Sequence, residues 1–256
     1  MGENNMREPE MWEIPALEIT LDEVFQAEGA DYTQRPPHPR TVELHHQIME
    51  EAATLVRPTA IWVEVDVTGT GVGELFLEDG YKFTSNLLPN VAATAEKMLL
   101  IATTIGTAID DRLAEYKKAG KMSEVFALDA CATAYVAKVG TTAMSRLEET
   151  YHCEGLKTTF PMGPGHSYWK GLEDMQVIFH FLRAERIGLH LNHSNLIIPR
   201  KSVAMVMGVG HDLPDFKGKT HCNFCNLQTT CKQLVHLVKQ CRRSPDGCNK
   251  LCTGLL

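Results

Sequence analysis

The sequence predicts an α+β fold: a single mixed domain with a twisted, largely antiparallel sheet and packed helices, followed by a small cysteine-rich C-terminal metal-binding appendix. Three observations carry this expectation. Ile61 to Val67 alternates apolar and polar residues and is followed, across a glycine-rich turn, by a second extended stretch, which makes a hairpin. Helix-period segments then cluster together rather than alternating with strands, and the last of them leads into an apolar strand. Six of the eight cysteines fall in the last 35 of 256 residues.

Composition sets the outer bounds. A chain of 256 residues with 44% hydrophobic and 22% charged residues is ordinary for a globular protein. By size it buries about three quarters of its unfolded surface. The net charge of −7 argues against broad nucleic-acid binding, which needs cations to neutralise phosphate. The first residues, MGENNMREPEMWEIP, are acidic and polar and form no secretory signal. No apolar run approaches the roughly 18 residues of a membrane helix, so a cytoplasmic location without membrane contact is expected.

In chain order, residues 1 to 13 are expected to be a loose lead. A short helix around Leu21 to Phe25 stops near Gly29, and Arg35 to Pro39 is a stiff connector. A helix from Thr41 places Leu44, Ile48, Ala52 and Leu55 on one face and closes at Pro58. His45 and His46 on it are expected to be solvated. Ile61, Val63, Val65 and Val67 share one strand face, Gly69 to Gly73 turns, and Glu74 to Phe83 returns with a break at Asp79-Gly80. GTGVG lacks the lysine and helix of a phosphate loop.

Lys97 to Thr104 is strand or buried helix, since a short apolar run fits either. Thr107 to Lys118 is a helix stopped at Gly120. A long helix from Ser123, which caps it, to about Thr150 is expected to present Phe126, Ala130, Ala134, Ala137 and Thr141 as a small-residue face. A helix from Leu172 to Ile187 presents Met175, Ile178, Phe179 and Leu182. Finally, Val203, Met205, Met207 and Val209 line one face of a strand that is apolar on both sides. No GxSxG elbow or HExxH helix is present, which disfavours an ordinary hydrolase.

Two constellations carry chemistry. Cys222-x2-Cys225-x5-Cys231, with Cys241 as the nearest fourth ligand and His221 as an alternative, is a thiolate cluster. Such a cluster suits an iron–sulfur centre of the 4Fe-4S type, then zinc, because soft sulfur ligands select both. Cys248 and Cys252 are spare thiols, a second partial site or a disulfide. Cys131 and Cys153 are expected to be buried small side chains. The second constellation is the loop Gly163, Pro164, Gly165, His166, Ser167, Tyr168, Trp169. Glycines give backbone access, Tyr168 and Trp169 give aromatic surface, and His166 titrates, a combination that suits a flat, partly charged ligand. The same composition also describes a structural turn whose aromatics pin it to the core.

The order PGH-x-x-W, an acidic pair before a helix, then IGLxLxxSxxIxPxKSVxxxxGxG resembles the reactivation domain of cobalamin-dependent methionine synthase, especially its stand-alone relatives in anaerobic bacteria that end in a cysteine motif. Thr104-Ile105-Gly106 with Asp110, Leu128-Asp129-Ala130, and Pro199-x-Lys201-Ser202-Val203 resemble further segments of that family. The resemblance implies an activation-like domain over residues 14–216 and a cysteine-rich tail over 217–256. It also implies a role in reductive rescue of a corrinoid methyltransferase, with a corrinoid protein and a low-potential electron donor as partners. In the family the loop binds S-adenosylmethionine above the corrinoid. Here the family's tyrosine is His166 and its arginine, the partner of the methionine carboxylate, is Pro161. The readings that remain beside this one are a non-redox corrinoid-binding module with structural zinc and an S-adenosylmethionine-dependent methylation component.

Overall fold

The longest strand organises the sheet because its β-branched residues recur on alternate positions. This is β2 (Thr59–Gly71), preceded by β1 (Glu10–Glu13), α1 (Leu21–Glu28) and α2 (Pro39–Leu55). After it come β3 (Glu74–Leu77), β4 (Lys82–Thr84), α3 (Leu88–Val91), β5 (Lys97–Thr104), α4 (Ala108–Lys118) and α5 (Met122–Cys153). The chain continues through β6 (Lys157–Thr158), α6 (Met175–Leu182), β7 (His190–Leu191), β8 (Ile197–Ile198) and β9 (Ser202–Gly210). This computed structural model describes residues 7–15, 17–30, 32, 36–216 and 219–224.

The main sheet runs β4-β3-β2-β5-β9-β6, with β1 on β2, and every described pairing is antiparallel. β1 and β3 share the edge of β2 opposite β5: Glu10 stands across from Trp62, and Thr70 from Leu75. The expected loose lead therefore contains an edge strand over Glu10–Glu13. The expected turn at Gly69 to Gly73 shortens to Val72-Gly73, with Gly73 at φ +73°. Gly71 stays in the strand, where a Cβ would lie 3.3 Å from the Phe76 ring. Lys97–Thr104 is a strand, apolar on both sides because both sides are covered.

Alternation along β5 and β9 feeds two cores. Leu99, Ile101, Met207 and Val209 face α1, α2, α4 and α5. Met98, Leu100, Ala102 and Val206 face α3, α6 and the 160–169 loop. α1 starts in a capping box, with Glu23 N–H on the Thr20 hydroxyl and Thr20 N–H on the Glu23 carboxylate, and ends at Gly29 in the left-handed region. Gly140 brings α5 close to β5, where a Cβ would sit 3.7 Å from Thr103 Oγ1.

Four local expectations are revised, that of the α5 face only in part. α5 begins at Met122 with no side-chain cap, so Ser123 does not cap it. Of the expected face, Ala130 and Ala134 are buried, together with Val125, Leu128, Ala132, Tyr135, Val139, Ala143 and Leu147, while Phe126 is 63% exposed and Ala137 and Thr141 face outward. Alanines on every side of this helix leave its phase undetermined by composition. His45 is buried rather than solvated: Nδ1 lies 2.7 Å from the Thr41 carbonyl and Nε2 3.3 Å from Glu28. Cys131 is buried as expected, but Cys153 is exposed at the end of α5.

α6 is shorter than the segment from Leu172 to Ile187, because Arg183 turns left-handed at φ +47° and a 3₁₀ turn follows over Ala184–Ile187. Met175, Ile178, Phe181 and Leu182 are its buried residues, with Phe179 half-buried.

Candidate functional site

The loop that the sequence singles out crosses the apolar face of the sheet from one edge to the other. At its start Met162 bridges Val206 of β9, with N–H to carbonyl distances of 2.9 and 2.7 Å. At its end Trp169 bridges Ser85, immediately after β4. A strand edge that would otherwise present bare backbone is thus occupied at both ends.

Each loop residue has a definite place. Gly163 is buried because a Cβ there would lie 2.9 Å from both the Ala204 carbonyl oxygen and Met205 Sδ. Its lack of a side chain permits this close packing on β9. Pro164 is buried beside it. Gly165 is exposed at φ +96°, a conformation that side chains disfavour. His166 is half-buried and stacks on Tyr168 with centroids 5.3 Å apart and planes within 4°. Burial lowers the pKa of His166 below its ordinary value, so the imidazole is neutral at pH 7. Tyr168 and Trp169 are 5% and 7% exposed, and they pin the loop into the core rather than offering an aromatic surface. The accessible strip is therefore Gly165, His166 and Ser167.

The anchors at the Trp169 end were not legible as such. Ser85 is buried; its hydroxyl donates to the Tyr168 carbonyl at 2.9 Å and accepts the N–H groups of Leu87 and Leu88. Asp174 accepts the indole N–H of Trp169 at 2.8 Å and the Thr84 N–H at 2.6 Å, both on Oδ2. Burial raises the Asp174 pKa, opposed by these hydrogen bonds. Asp174 belongs to the acidic pair that the sequence shows before the helix, but spacing gave it no partner; Ser85 carries no signal of its own.

The beginning of the tail lies against this loop. Phe160, two residues before Met162, stacks on Phe224 with centroids 5.2 Å apart and planes 18° apart, and meets Phe216 edge-on at 5.5 Å. Thr220 and Asn223 close a 3₁₀ turn over His221–Phe224, with Thr220 N–H donating to the side-chain Oδ1 of Asn223 at 2.7 Å. Cys222 is half-buried in this turn. Cys225, Cys231 and Cys241, like Cys248 and Cys252, lie outside the described residues. Among the described residues no group of three or more His, Cys, Asp or Glu side chains is arranged to hold a metal, and no helix is long and apolar enough to cross a membrane.

No protein-family model matches this sequence, and no curated protein matches it. Among solved structures the chain is similar to a crystal structure of the MetH reactivation domain bound to AdoHcy. The TM-score is 0.54 at 12% identity, over 81% of this chain and 80% of that one. At that identity the likeness is one of fold: a mixed α/β architecture with a curled antiparallel sheet, as the loop and strand motifs led one to expect.

Proposed function

We propose that this chain is a reductive reactivation or accessory redox factor for a corrinoid-dependent methyltransferase system. The observation that carries the reading is the docking of the tail's first turn, with Cys222, on Phe160 at the start of the loop. A fold like that of the MetH reactivation domain, matched over 81% of this chain, supports it. The accessible Gly165–Ser167 strip with a neutral His166 supplies a flat, hydrogen-bonding surface for a corrinoid held by a partner protein.

Cys222, Cys225, Cys231 and Cys241 form an all-thiolate donor set that fits a 4Fe-4S cluster, which when bound supplies single electrons at low potential. The protein's own contribution is positional: Phe160 and Phe216 hold the Cys222 turn beside the loop, and an external low-potential donor provides the electron. S-adenosylmethionine does not fit the loop in the same way. No arginine or lysine lies between Phe160 and Trp169, and Pro161 stands where a charge partner for its carboxylate belongs, so this reading takes no step through it.

Packing of Leu213 and Phe216 against the loop side of the core also favours a second reading, a non-redox corrinoid-protein binding module in which the cysteines hold structural zinc. Iron, zinc and acid-labile sulfide on anaerobically purified protein, with a visible spectrum, separate the two. About four irons and four sulfides with a chromophore that bleaches on reduction are expected. Mixing with a cobalt(II) corrinoid protein and a low-potential reductant then yields cobalt(I) faster than without the chain. Stoichiometric zinc and no chromophore overturns the redox reading.

A further inference from the structure

The side chain at the Trp169 end of the loop is held by one carboxylate oxygen, beside backbone contacts from Ser85 and Asn86. Asp174 Oδ2 receives the Trp169 indole N–H at 2.8 Å and the Thr84 backbone N–H at 2.6 Å, so it joins the loop, β4 and the start of α6 at a single atom. The nearby Ser85 contacts hold only backbone: its hydroxyl reaches the Tyr168 carbonyl, and Asn86 N–H reaches that same carbonyl at 2.9 Å. The side chain of Trp169 packs edge-on to Phe83 at 5.7 Å, and its polar end is directed by Asp174.

Two N–H donors converging on one oxygen are best matched by an ionised carboxylate, since charge-assisted hydrogen bonds are the strong ones. A protonated carboxyl group accepts both N–H groups more weakly, as a neutral carbonyl oxygen does. We infer that Asp174 is a positioning residue whose ionisation sets how the Gly163–Trp169 loop is held against β4. Protonation, by uptake of one proton from solvent, weakens the indole link and loosens the segment that ends the accessible Gly165–Ser167 strip.

Glu173 adjoins Asp174 at the head of α6, and Lys82 reaches it from β4, where Lys82 is also paired with Glu74 at 2.5 Å. Burial raises the Asp174 pKa, Glu173 adds to this, and Lys82 with the two hydrogen bonds opposes it. The sign follows. A carboxyl whose pKa is raised in the folded state favours folding when protonated, and that contribution is lost as pH rises through its folded value. The ionised form is thus kept at a cost in stability, as expected of a group retained for positioning rather than for the core.

This inference rests on the reading of the loop as the binding strip, but its test needs no corrinoid, so the two can fail separately. The readout is the indole N–H resonance of Trp169 in the full chain labelled at tryptophan nitrogen, assigned by Trp169→Phe. The resonance is expected to titrate in a single acid step, and Asp174→Asn is expected to abolish that step. Thermal stability of Asp174→Asn at neutral pH should equal or exceed that of the native chain, with the difference closing as pH falls. If Asp174→Asn does not fold, Glu173→Gln should move the native step to lower pH and Lys82→Gln to higher pH. A resonance that stays flat through the acid range, or a step unaltered in these variants, overturns the inference.

Discussion

Gly163, Gly208 and Gly210 share one steric reason for being glycine. A Cβ on Gly163 meets the Ala204 carbonyl and Met205 Sδ at 2.9 Å, one on Gly208 meets Ala92 and Ala95 at 3.1 Å, and one on Gly210 meets the Thr94 carbonyl at 2.9 Å. Substituting Gly163→Ala is expected to cost roughly 1–3 kcal/mol, because backbone must shift to admit the methyl group. Urea unfolding measures it, and an unchanged midpoint would refute the packing account. The Glu64 carboxylate tests the helix side of the sheet. Burial opposes its ionisation, but hydrogen bonds from Lys97 and Tyr151, with the charges of Lys97 and Arg7, hold its pKa below the ordinary value. A lowered carboxyl pKa stabilises the fold above the unfolded value, and the contribution is lost as pH falls through the folded one. Stability of the native chain should therefore decline on the acid side, and Glu64→Gln should flatten that decline in a pH series of thermal melts.

At the scale of elements, what the sequence made legible was periodicity where both states of a residue differ strongly. Ile61, Val63 and Val65 against Trp62, Glu64 and Asp66 fix the faces of β2, and both faces of β9 are apolar because helices cover one and the loop the other. Phase in α5 was not legible, since alanine fits either side of a helix and only contact with β5 at Gly140 decides. Local capping could be checked directly. Thr20→Ala removes the hydroxyl that accepts Glu23 N–H and frees Glu23 from the capping box, at an expected cost of about 1 kcal/mol. Glu23 also pairs with Lys138 of α5 at 2.9 Å, so the loss should loosen α1 on α5 as well. Hydrogen exchange confined to Val24 and Phe25 would report local fraying; no change there would refute the cap.

At the scale of the whole molecule, the aromatic trio of Phe160, Phe216 and Phe224 ties the first cysteine turn to the loop. Phe224 is 37% exposed, so Phe224→Ala should cost the core little while releasing the turn. Amides of Cys222 and Asn223 are expected to lose exchange protection, with β5 and β9 unchanged. Protection that persists would show that the Thr220–Asn223 hydrogen bonds alone hold the turn.

By itself the sequence determined the α+β class, the hairpin, the doubly apolar last strand and the thiolate-rich tail. Each of these follows from residue type at fixed spacing along one segment. Only the tertiary structure decided that Tyr168 and Trp169 are buried pins, that Gly163 serves β9, and that Asp174 and Ser85 hold the loop. It also decided that His45 is buried against Glu28 and that the turn carrying Cys222 is stacked on Phe160 through Phe224. These depend on which segments cross the sheet and meet, a long-range matter that local composition does not encode: Thr84 meets Asp174 and Ser85 meets Tyr168 only because the loop spans the sheet from β9 to β4.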